Sequence, residues 1–324
     1  MYKRSFLFIK IIMYCFFYVS FSSANKEPLE ILMVVPTFPK IHDICMLNQI
    51  VGLIDRGHNV TVYAPKLGDL TKLQDDVVKY NLLSRTIIGD DLPANLNDYD
   101  IVVFQLGHKA VNIKKTHNFR GKVVICLRGY DITGFVKNNT HAYDEFFDNC
   151  DLFMPVCESF KKKLERLGCN SKKILVHHSG IDCARFFFKS RNLPKEGTIN
   201  LLSAGRFVEK KGFIYSIVAV ARLIQLYPRI RYTIIGDGEL KKSYRNLIKK
   251  LGMEGKIKLV NWCAHDEYIK ILDKSHIFIT PSVTATDNDQ EGIPNVLKEA
   301  MAMGLIVIAT DHSGNSELVE DKVT

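Results

Sequence analysis

Residues 291–309 read EGIPNVLKEAMAMGLIVIA, which predicts a helix followed by a buried strand. Pro294 is preset for the first turn of a helix, and Gly304 suits the position just beyond its end. The apolar run from residue 305 to residue 309 then predicts the strand. The segment is therefore expected to be a glycine-introduced helix that runs into the core of an α/β domain.

Two carboxylates of this segment, Glu291 and Glu299, are predicted to line one cleft. Glu291 lies at the start of the helix, and a step of eight residues returns to within about 80° of the same direction. Open N–H groups at a helix start suit phosphate, and carboxylates suit sugar hydroxyls. The layout indicates a nucleotide-sugar site, although on the pair alone a capping acid with a solvated surface acid is the more frequent explanation.

Length and composition favour an ordinary two-domain globular protein. The chain has 324 residues, of which 47% are hydrophobic and 24% charged, so one core is not expected to hold it. The net charge of +9 is concentrated in short lysine clusters, which suit an anionic ligand or an anionic membrane surface. These lysines, among them residues 161–163 and 210–211, are interpreted mainly as solvated helix faces. No nucleic-acid motif accompanies them, so no nucleic acid is predicted as a partner.

The cysteines indicate a reducing compartment and no metal site. The chain has eight of them, without C-x-x-C spacing or a histidine at zinc-ligand spacing. Cys126, for example, lies in an apolar strand, where a thiol acts as a small hydrophobe.

Residues 1–25 form a hydrophobic N-terminal segment with a basic start and a small-residue end, as in a secretory signal. Three interpretations stay open: an over-extended start codon, a membrane-associating segment and a real signal. Export would separate a nucleotide-sugar enzyme from its donors. The predicted location is therefore the cytoplasm, peripheral to the inner membrane.

From residue 29 onward, predicted strands and helices alternate in two series. The polar stretch 189–197 contains proline and glycine and predicts a linker. Domains are therefore expected at residues 26–190 and 191–324. Each is predicted to be a doubly wound parallel sheet, and the two would face a cleft at the carboxyl ends of their strands. The predicted strands are residues 29–35, 60–63, 101–104, 123–127, 152–156, 174–176, 199–204, 232–235 and 305–309.

Arg206 and Lys211 place positive charge just after the strand at residues 199–204. Glycines at both ends of their loop let the backbone approach a ligand, and the two cations match a diphosphate. The next strand ends in another tight turn at Gly236. This turn lacks the G-x-G-x-x-G spacing, so a dinucleotide site is not predicted.

The motifs GRFVEKKG, IGDG and EGIPNVLKEAMA follow one another at residues 205–212, 235–238 and 291–302. Together they resemble the retaining family 4 glycosyltransferases of the GT-B fold. The resemblance is closer still to the exopolysaccharide branch, the colanic-acid and amylovoran type. It rests there on PSVTA, DQEGIP and HSG at residues 281–285, 289–294 and 312–314, and on FPK, LNQI and RGH at residues 38–40, 47–50 and 56–58.

The resemblance implies that Arg206 and Lys211 hold the donor diphosphate and stabilise the charge that grows on it as the glycosidic bond breaks. Gly236 and Pro294 would complete the donor site. The resemblance also implies that no metal and no cofactor are needed. A preorganised cation gives most benefit where leaving-group charge develops, which agrees with this assignment.

The same resemblance assigns Glu299 to the donor ribose and Glu291 to the donor sugar hydroxyls. The amides of Gly292 and Ile293 would assist Glu291. Retention in this family proceeds without metal and, by the favoured view, without a covalent sugar intermediate. The two glutamates are therefore not expected to act as acid and nucleophile, as carboxylates do in glycoside hydrolases.

On the acceptor side, Arg128 falls where many relatives have the histidine of His-Gly-x-Asp. An arginine cannot act as a base, but it can bind a phosphate. His42 and Asp43 are candidates for acceptor contacts. The chain also ends earlier than relatives do, so an incomplete second domain is expected.

The sequence therefore predicts transfer of a hexose from a nucleoside diphosphate sugar, UDP-linked, to a lipid-linked oligosaccharide. Two alternatives stay open. One is a GT-B nucleotide-sugar epimerase, which needs no acceptor, and the other is a non-catalytic remnant that binds nucleotide sugar or nothing.

Overall fold

The structure is a computed structural model that describes residues 27–40, 43–110 and 119–321. The predicted hydrophobic N-terminal segment and His42 lie outside these described residues. Within the described part, no helix combines the length and the apolar character needed to cross a membrane.

The first sheet is built from parallel strands near the start of the chain. They are β1 Glu30–Val34, β2 Asn59–Ala64, β3 Thr86–Ile88, β4 Ile101–Phe104, β5 Lys122–Leu127 and β6 Leu152–Pro155. Their order in the sheet is β3-β2-β1-β4-β5-β6. The α-helices between and after them are α1 Ile44–Ile54, α2 Asp75–Lys79, α3 Gly107–Ala110, α4 Gly134–Asn138, α5 Asp144–Asn149 and α6 Glu158–Arg166.

The second sheet is also parallel. Its strands are β7 Ile199–Ala204, β8 Ile230–Ile235, β9 Ile257–Val260, β10 Ile277–Thr280 and β11 Ile306–Ala309. Their order is β11-β10-β7-β8-β9. The α-helices are α7 Phe213–Leu226, α8 Lys241–Lys250, α9 His265–Asp273 and α10 Asn295–Ala302. Short 3₁₀ turns lie at Leu82–Arg85, Leu96–Asp98, Tyr130–Ile132, Ser171–Lys173, Glu209–Lys211 and Asn315–Glu317.

Each sheet separates two apolar layers. In β1, Leu32 and Val34 pack into one core cluster, whereas Ile31 and Met33 pack into another. The same division recurs in the second domain, where Leu201 and its neighbour on β7 belong to different clusters. A parallel sheet must be covered on both faces in this way. The predicted α/β class and its two doubly wound sheets are confirmed.

Three details differ from the sequence-based expectation. The strand predicted at residues 174–176 is wrong, because only the isolated bridge between Phe153 and Ile174 forms there. The structure adds strands β3, β9 and β10, for which no prediction was made. Pro294 is the N-cap of α10 rather than its first helical residue, with φ −62° and ψ 127°. The fixed φ of a proline is compatible with the position just before a helix. The ring also disfavours helical backbone angles at the preceding residue, so the helix does not start earlier.

The loops that follow β5 and β6 contact the loops that follow β10 and β11. The backbone N–H of Gln290 donates to Thr133 Oγ1 at 3.2 Å, and Lys163 Nζ donates to Gln290 Oε1. Glu317 accepts hydrogen bonds from the backbone N–H groups of Glu158 and Ser159 at the start of α6. The two domains therefore meet through the carboxyl ends of their strands, where an open α/β sheet binds ligands.

Candidate active site

The loop after β7 positions the predicted diphosphate ligands. It forms the 3₁₀ turn Glu209–Lys211 and ends at Gly212, whose φ of 64° is left-handed. A Cβ on Gly212 would lie 1.9 Å from the carbonyl oxygen of Pro281, so only glycine fits against the end of β10. This close approach brings the side chains of Lys210 and Lys211 to the loop that carries Glu291.

A cluster of four charged side chains lies at this point. Lys211 Nζ is 2.9 Å from Glu291 Oε2, and Lys210 Nζ is 3.3 Å from Glu291 Oε1. Lys210 Nζ is also 2.9 Å from Asp289 Oδ2. The interpretation of Lys210 as a solvated lysine is wrong, because its ammonium is enclosed between two carboxylates and the residue is 7% exposed.

The cluster keeps Glu291 ionised. Burial alone would raise the pKa of Glu291, but the charges of Lys211 and Lys210 outweigh it and lower the pKa to about 2. Burial would likewise lower the pKa of Lys210, yet Glu291 and Asp289 together raise it. Burial raises the pKa of Asp289 above its usual value. The site is thus a paired, charged cluster at neutral pH, which costs less than burying any one of these charges alone.

Arg206 lies at the end of β7 with its side chain exposed. A cavity of about 290 Å³ lies beside it and is also lined by Glu209, Lys210 and Asp289. The structure therefore places Arg206 at the mouth of a polar cavity and Lys211 within the charged cluster.

Glu299 occupies a different environment from Glu291. It lies on α10, is 6% exposed, and belongs with the buried polar residues of the second domain. Burial raises the pKa of Glu299 to about 7, and interactions with Tyr268 and Lys298 lower it less. The two glutamates, predicted on one cleft, are thus an ionised group and a group that is partly protonated at neutral pH.

Three further predicted site residues, Gly236, Gly292 and Ile293, lie where the loops of the site are in close contact. A Cβ on Gly236 would lie 1.9 Å from the carbonyl oxygen of Gly205, so the loops after β7 and β8 touch through these glycines. A Cβ on Gly292 would lie 2.6 Å from Val156 Cγ2 of the first domain. Ile293 packs against the core cluster of the first domain. Gly292 and Ile293 therefore seat the Glu291 loop on the first domain.

Arg128, at the end of β5, is held by amide oxygens. Its Nη2 donates to Gln49 Oε1 at 3.0 Å and to Gln105 Oε1, and its Nε donates to the carbonyl oxygen of Gln105 at 3.2 Å. The carboxylate of Asp131 accepts the backbone N–H groups of Arg128 and Gly129 rather than the guanidinium. The charge of Arg128 is oriented but not neutralised by these contacts.

Lys298 was not predicted as a site residue. Its Nζ donates to the carbonyl oxygen of Ser179 and, at 3.1 Å, to Asn295 Oδ1. Burial lowers the pKa of Lys298 to about 8, and the charge of Arg128 contributes to this shift. The sequence signal that could have identified Lys298 was its position in the predicted helix, one residue before Glu299. A lysine there reads as a solvated helix residue unless the first domain is known to cover it.

Residues 185–324 match the family model described as glycosyl transferases group 1. The second domain is a group 1 glycosyl transferase domain. This match confirms the predicted glycosyltransferase resemblance and includes Arg206, Lys211, Glu291 and Glu299.

Similarity to known glycosyltransferases extends over most of the chain. AmsK of Erwinia amylovora, an amylovoran biosynthesis glycosyltransferase, is 29% identical over 89% of this chain and 84% of its own length. WcaL of Escherichia coli K12, named for colanic acid biosynthesis, is 29% identical over 87% of this chain and 82% of its own. These relatives are the exopolysaccharide branch that the sequence motifs resemble.

Solved glycosyltransferase structures share this fold. HepE of Anabaena, crystallised with UDP-glucose, superposes with a TM-score of 0.73 at 18% identity, over 90% of this chain and 83% of its own. WaaG, a glycosyltransferase involved in lipopolysaccharide biosynthesis, gives a TM-score of 0.62 at 15% identity, over 89% and 82%. The GT-B arrangement predicted from the sequence is confirmed.

Proposed function

We propose that this protein transfers a hexose from a nucleoside diphosphate sugar, UDP-linked, to a lipid-linked oligosaccharide, with retention of anomeric configuration. The reaction would serve exopolysaccharide synthesis at the cytoplasmic face of the inner membrane. The observation that carries the proposal is the charged cluster of Lys210, Lys211, Asp289 and Glu291, at the strand ends beside Arg206.

Lys211 has donors to spare for a diphosphate. An ammonium has three N–H groups, and one of them is used on Glu291. The remaining donors of Lys211 and the exposed guanidinium of Arg206 suit two phosphoryl groups. As the bond from the sugar C1 to the diphosphate oxygen breaks, both cations would stabilise the charge left on that oxygen.

Glu291 is suited to the sugar rather than to the phosphate. Both of its oxygens accept from lysines, and each keeps a lone pair for a sugar hydroxyl. The pKa of about 2 keeps it an acceptor at neutral pH. The incoming acceptor oxygen would bond to C1 on the same face, and its proton would pass to the departing phosphate oxygen.

The names of similar proteins support the substrate classes. HepE was crystallised with UDP and with UDP-glucose, which favours a UDP-linked donor. AmsK is named for amylovoran biosynthesis, which favours a polysaccharide assembly role. The lysine-rich composition and net charge of +9 favour contact with an anionic membrane surface, where a lipid-linked acceptor would lie. The proposed domains remain residues 26–190 for the acceptor and residues 191–324 for the donor.

Radiolabel transfer tests the reaction. The protein is incubated with UDP-[¹⁴C]glucose and with membranes that contain lipid-linked oligosaccharide, and label is measured in the lipid fraction. Transfer that requires the membranes supports the proposal. Conversion of the free donor to another UDP-sugar without an acceptor would identify the epimerase alternative. Calorimetric titration with UDP separates both from a remnant that binds nothing, which would give no binding heat.

A further inference from the structure

Arg128 and Lys298 come from different domains and converge on one residue, Ser179. Arg128 Nη1 donates to Ser179 Oγ at 3.3 Å, and Lys298 Nζ donates to the carbonyl oxygen of the same serine. Two cations are thus held within reach of one small polar group at the boundary between the domains.

Neither cation is neutralised by this environment. Among the residues that the structure describes, no carboxylate forms an ion pair with the guanidinium of Arg128 or with the ammonium of Lys298. The side-chain partners of Arg128 are Gln49, Gln105 and Ser179, which are uncharged. Glu299 lies near Lys298, but its pKa of about 7 leaves it partly protonated at neutral pH. A net positive charge therefore remains at this half-buried position, where partial burial makes it unfavourable.

Donors also remain unused. Arg128 Nη1 carries two N–H groups, one of which serves Ser179, and Lys298 Nζ carries three, of which Ser179 and Asn295 take two. One N–H of each cation has no acceptor within the described residues. The hydroxyl of Ser179 accepts from Arg128, so its own hydrogen is available to donate. Three donors, two of them charged, therefore suit one oxyanion.

The location favours a sugar rather than a distant lipid headgroup. A Cβ at Gly129, next to Arg128, would lie 3.1 Å from the carbonyl oxygen of Gln290 and 3.6 Å from Lys210 Nζ. A Cβ at Gly292 would lie 3.6 Å from the carbonyl oxygen of Arg128. The segment with Arg128 therefore borders the loop of Glu291, which the proposed function assigns to the donor sugar.

We propose that Arg128, Lys298 and Ser179 bind the carboxylate of an acidic sugar at the transfer site. The inference rests on the proposed function and specifies its substrate class, a hexuronate. The carboxylate belongs either to the donor sugar or to the terminal residue of the acceptor. The recognition chemistry is the same in both cases.

Calorimetric titrations at neutral pH test the proposal in two arms. The donor arm compares the dissociation constants of UDP-glucuronate and UDP-glucose. The acceptor arm compares methyl glucuronide with methyl glucoside in the presence of saturating UDP. Each arm is run on the wild type, Arg128→Gln and Lys298→Met, with Lys249→Met as the control. Lys249 is an exposed lysine on α8 that lacks any role in the site.

We expect a preference of roughly tenfold or more for the acidic ligand in one arm, since one charge-assisted hydrogen bond supplies that much. The preference should fall to near unity in Arg128→Gln and in Lys298→Met and persist in Lys249→Met. Because the ratio of two ligands is measured, a general loss of UDP affinity cancels. Lys298→Met keeps the apolar stem of the side chain and is therefore expected to fold. It allows the preference to be measured even if Arg128→Gln fails to fold.

The arm that shows the preference identifies whether the carboxylate is on the donor or on the acceptor. Equal affinities for acidic and neutral ligands in both arms, with UDP still bound, would overturn this inference and leave the proposed function intact. A preference that survives both substitutions would also overturn it. An absence of UDP binding to the wild type would overturn the proposed function, and this inference with it.

Discussion

Lys211 Nζ donates to Glu291 Oε2 at 2.9 Å, although the two residues are 80 positions apart in the chain. The contact joins the loop after β7 to the loop that precedes α10. One side chain is proposed to hold the diphosphate and the other to hold the sugar, so the two ends of the bond to be broken are fixed relative to each other. Preorganisation of this kind is what leaving-group stabilisation requires.

The substitution Lys211→Ala is expected to weaken binding of UDP-glucose and to slow transfer. Loss of a charge-assisted hydrogen bond to phosphate costs about 1.5–3 kcal/mol, or roughly 10- to 150-fold in affinity. Calorimetric titration with UDP-glucose measures the loss, and Lys249→Ala provides the matched surface control. Unchanged affinity and turnover in a folded Lys211→Ala protein would contradict the assignment.

Glu299→Ala and Glu291→Ala are expected to impair different parts of donor binding. Glu299→Ala should weaken binding of UDP itself, because its proposed partner is the ribose. Glu291→Ala should spare UDP and impair the use of UDP-glucose, because its proposed partners are sugar hydroxyls. Titrations of both variants with the two ligands decide this. Equal loss of UDP affinity in both variants would show that the donor lies in another orientation.

Glu299→Gln is expected to change the pH dependence of stability. Burial raises the pKa of Glu299 from 4.5 to about 7, so the folded protein holds this proton more tightly than the unfolded chain. The free energy of unfolding therefore falls as the pH rises from about 4.5 to about 7. Glutamine does not titrate, so Glu299→Gln lacks this decrease in stability. The melting temperature of Glu299→Gln minus that of the wild type should therefore increase as the pH rises through that window.

Thermal unfolding at about pH 5 and about pH 7.5 measures this difference. The pKa of Glu291 is lowered to about 2, so its contribution changes below the window and does not interfere. A melting-temperature difference that stays constant with pH would show that Glu299 does not titrate between these values.

Transfer is expected to continue in EDTA. Arg206, Lys211 and the start of α10 supply the positive field that a divalent ion supplies in metal-dependent transferases. The radiolabel assay is repeated with EDTA and then with added manganese. Activity that disappears with EDTA and returns with manganese would refute the expectation.

The sequence was sufficient for the long buried strands and for the helix boundaries marked by glycine. Strands β4 and β7 have the predicted bounds, because each is a largely apolar run that is followed directly by a polar residue or a glycine. Strand β3 has three residues and is partly exposed, and β9 alternates only weakly, so neither has a distinct local pattern. Residues 174–176 have the pattern of a strand but form only the isolated bridge between Phe153 and Ile174. Strand pairing depends on which sheet edge lies beside a segment, and the local sequence does not show this.

The candidate site was predictable where a residue follows a strand, as Arg206 and Lys211 do. Lys210 and Lys298 could not be assigned in this way, because a lysine in a local pattern gives no indication of what the other loops place over it. Lys210 is enclosed only by Asp289 and Glu291, which lie 79 and more positions away in the chain. Environment of this kind is set by tertiary contacts and not by neighbouring residues in the chain.

The hydrogen bond from the Gln290 backbone to Thr133 ties the loop of Glu291 to the first domain. Tyr268 and Glu299, in contrast, lie on α9 and α10 of the second domain and interact with each other. In the proposed donor orientation, a separation of the two domains would leave the uridine end of a bound donor in place while it pulled on the sugar end. The contacts proposed to support cleavage of the bond to the sugar would then be incomplete while the domains are apart. A donor bound to the open protein would thus be protected from wasteful hydrolysis until the acceptor-bearing domain closes over it.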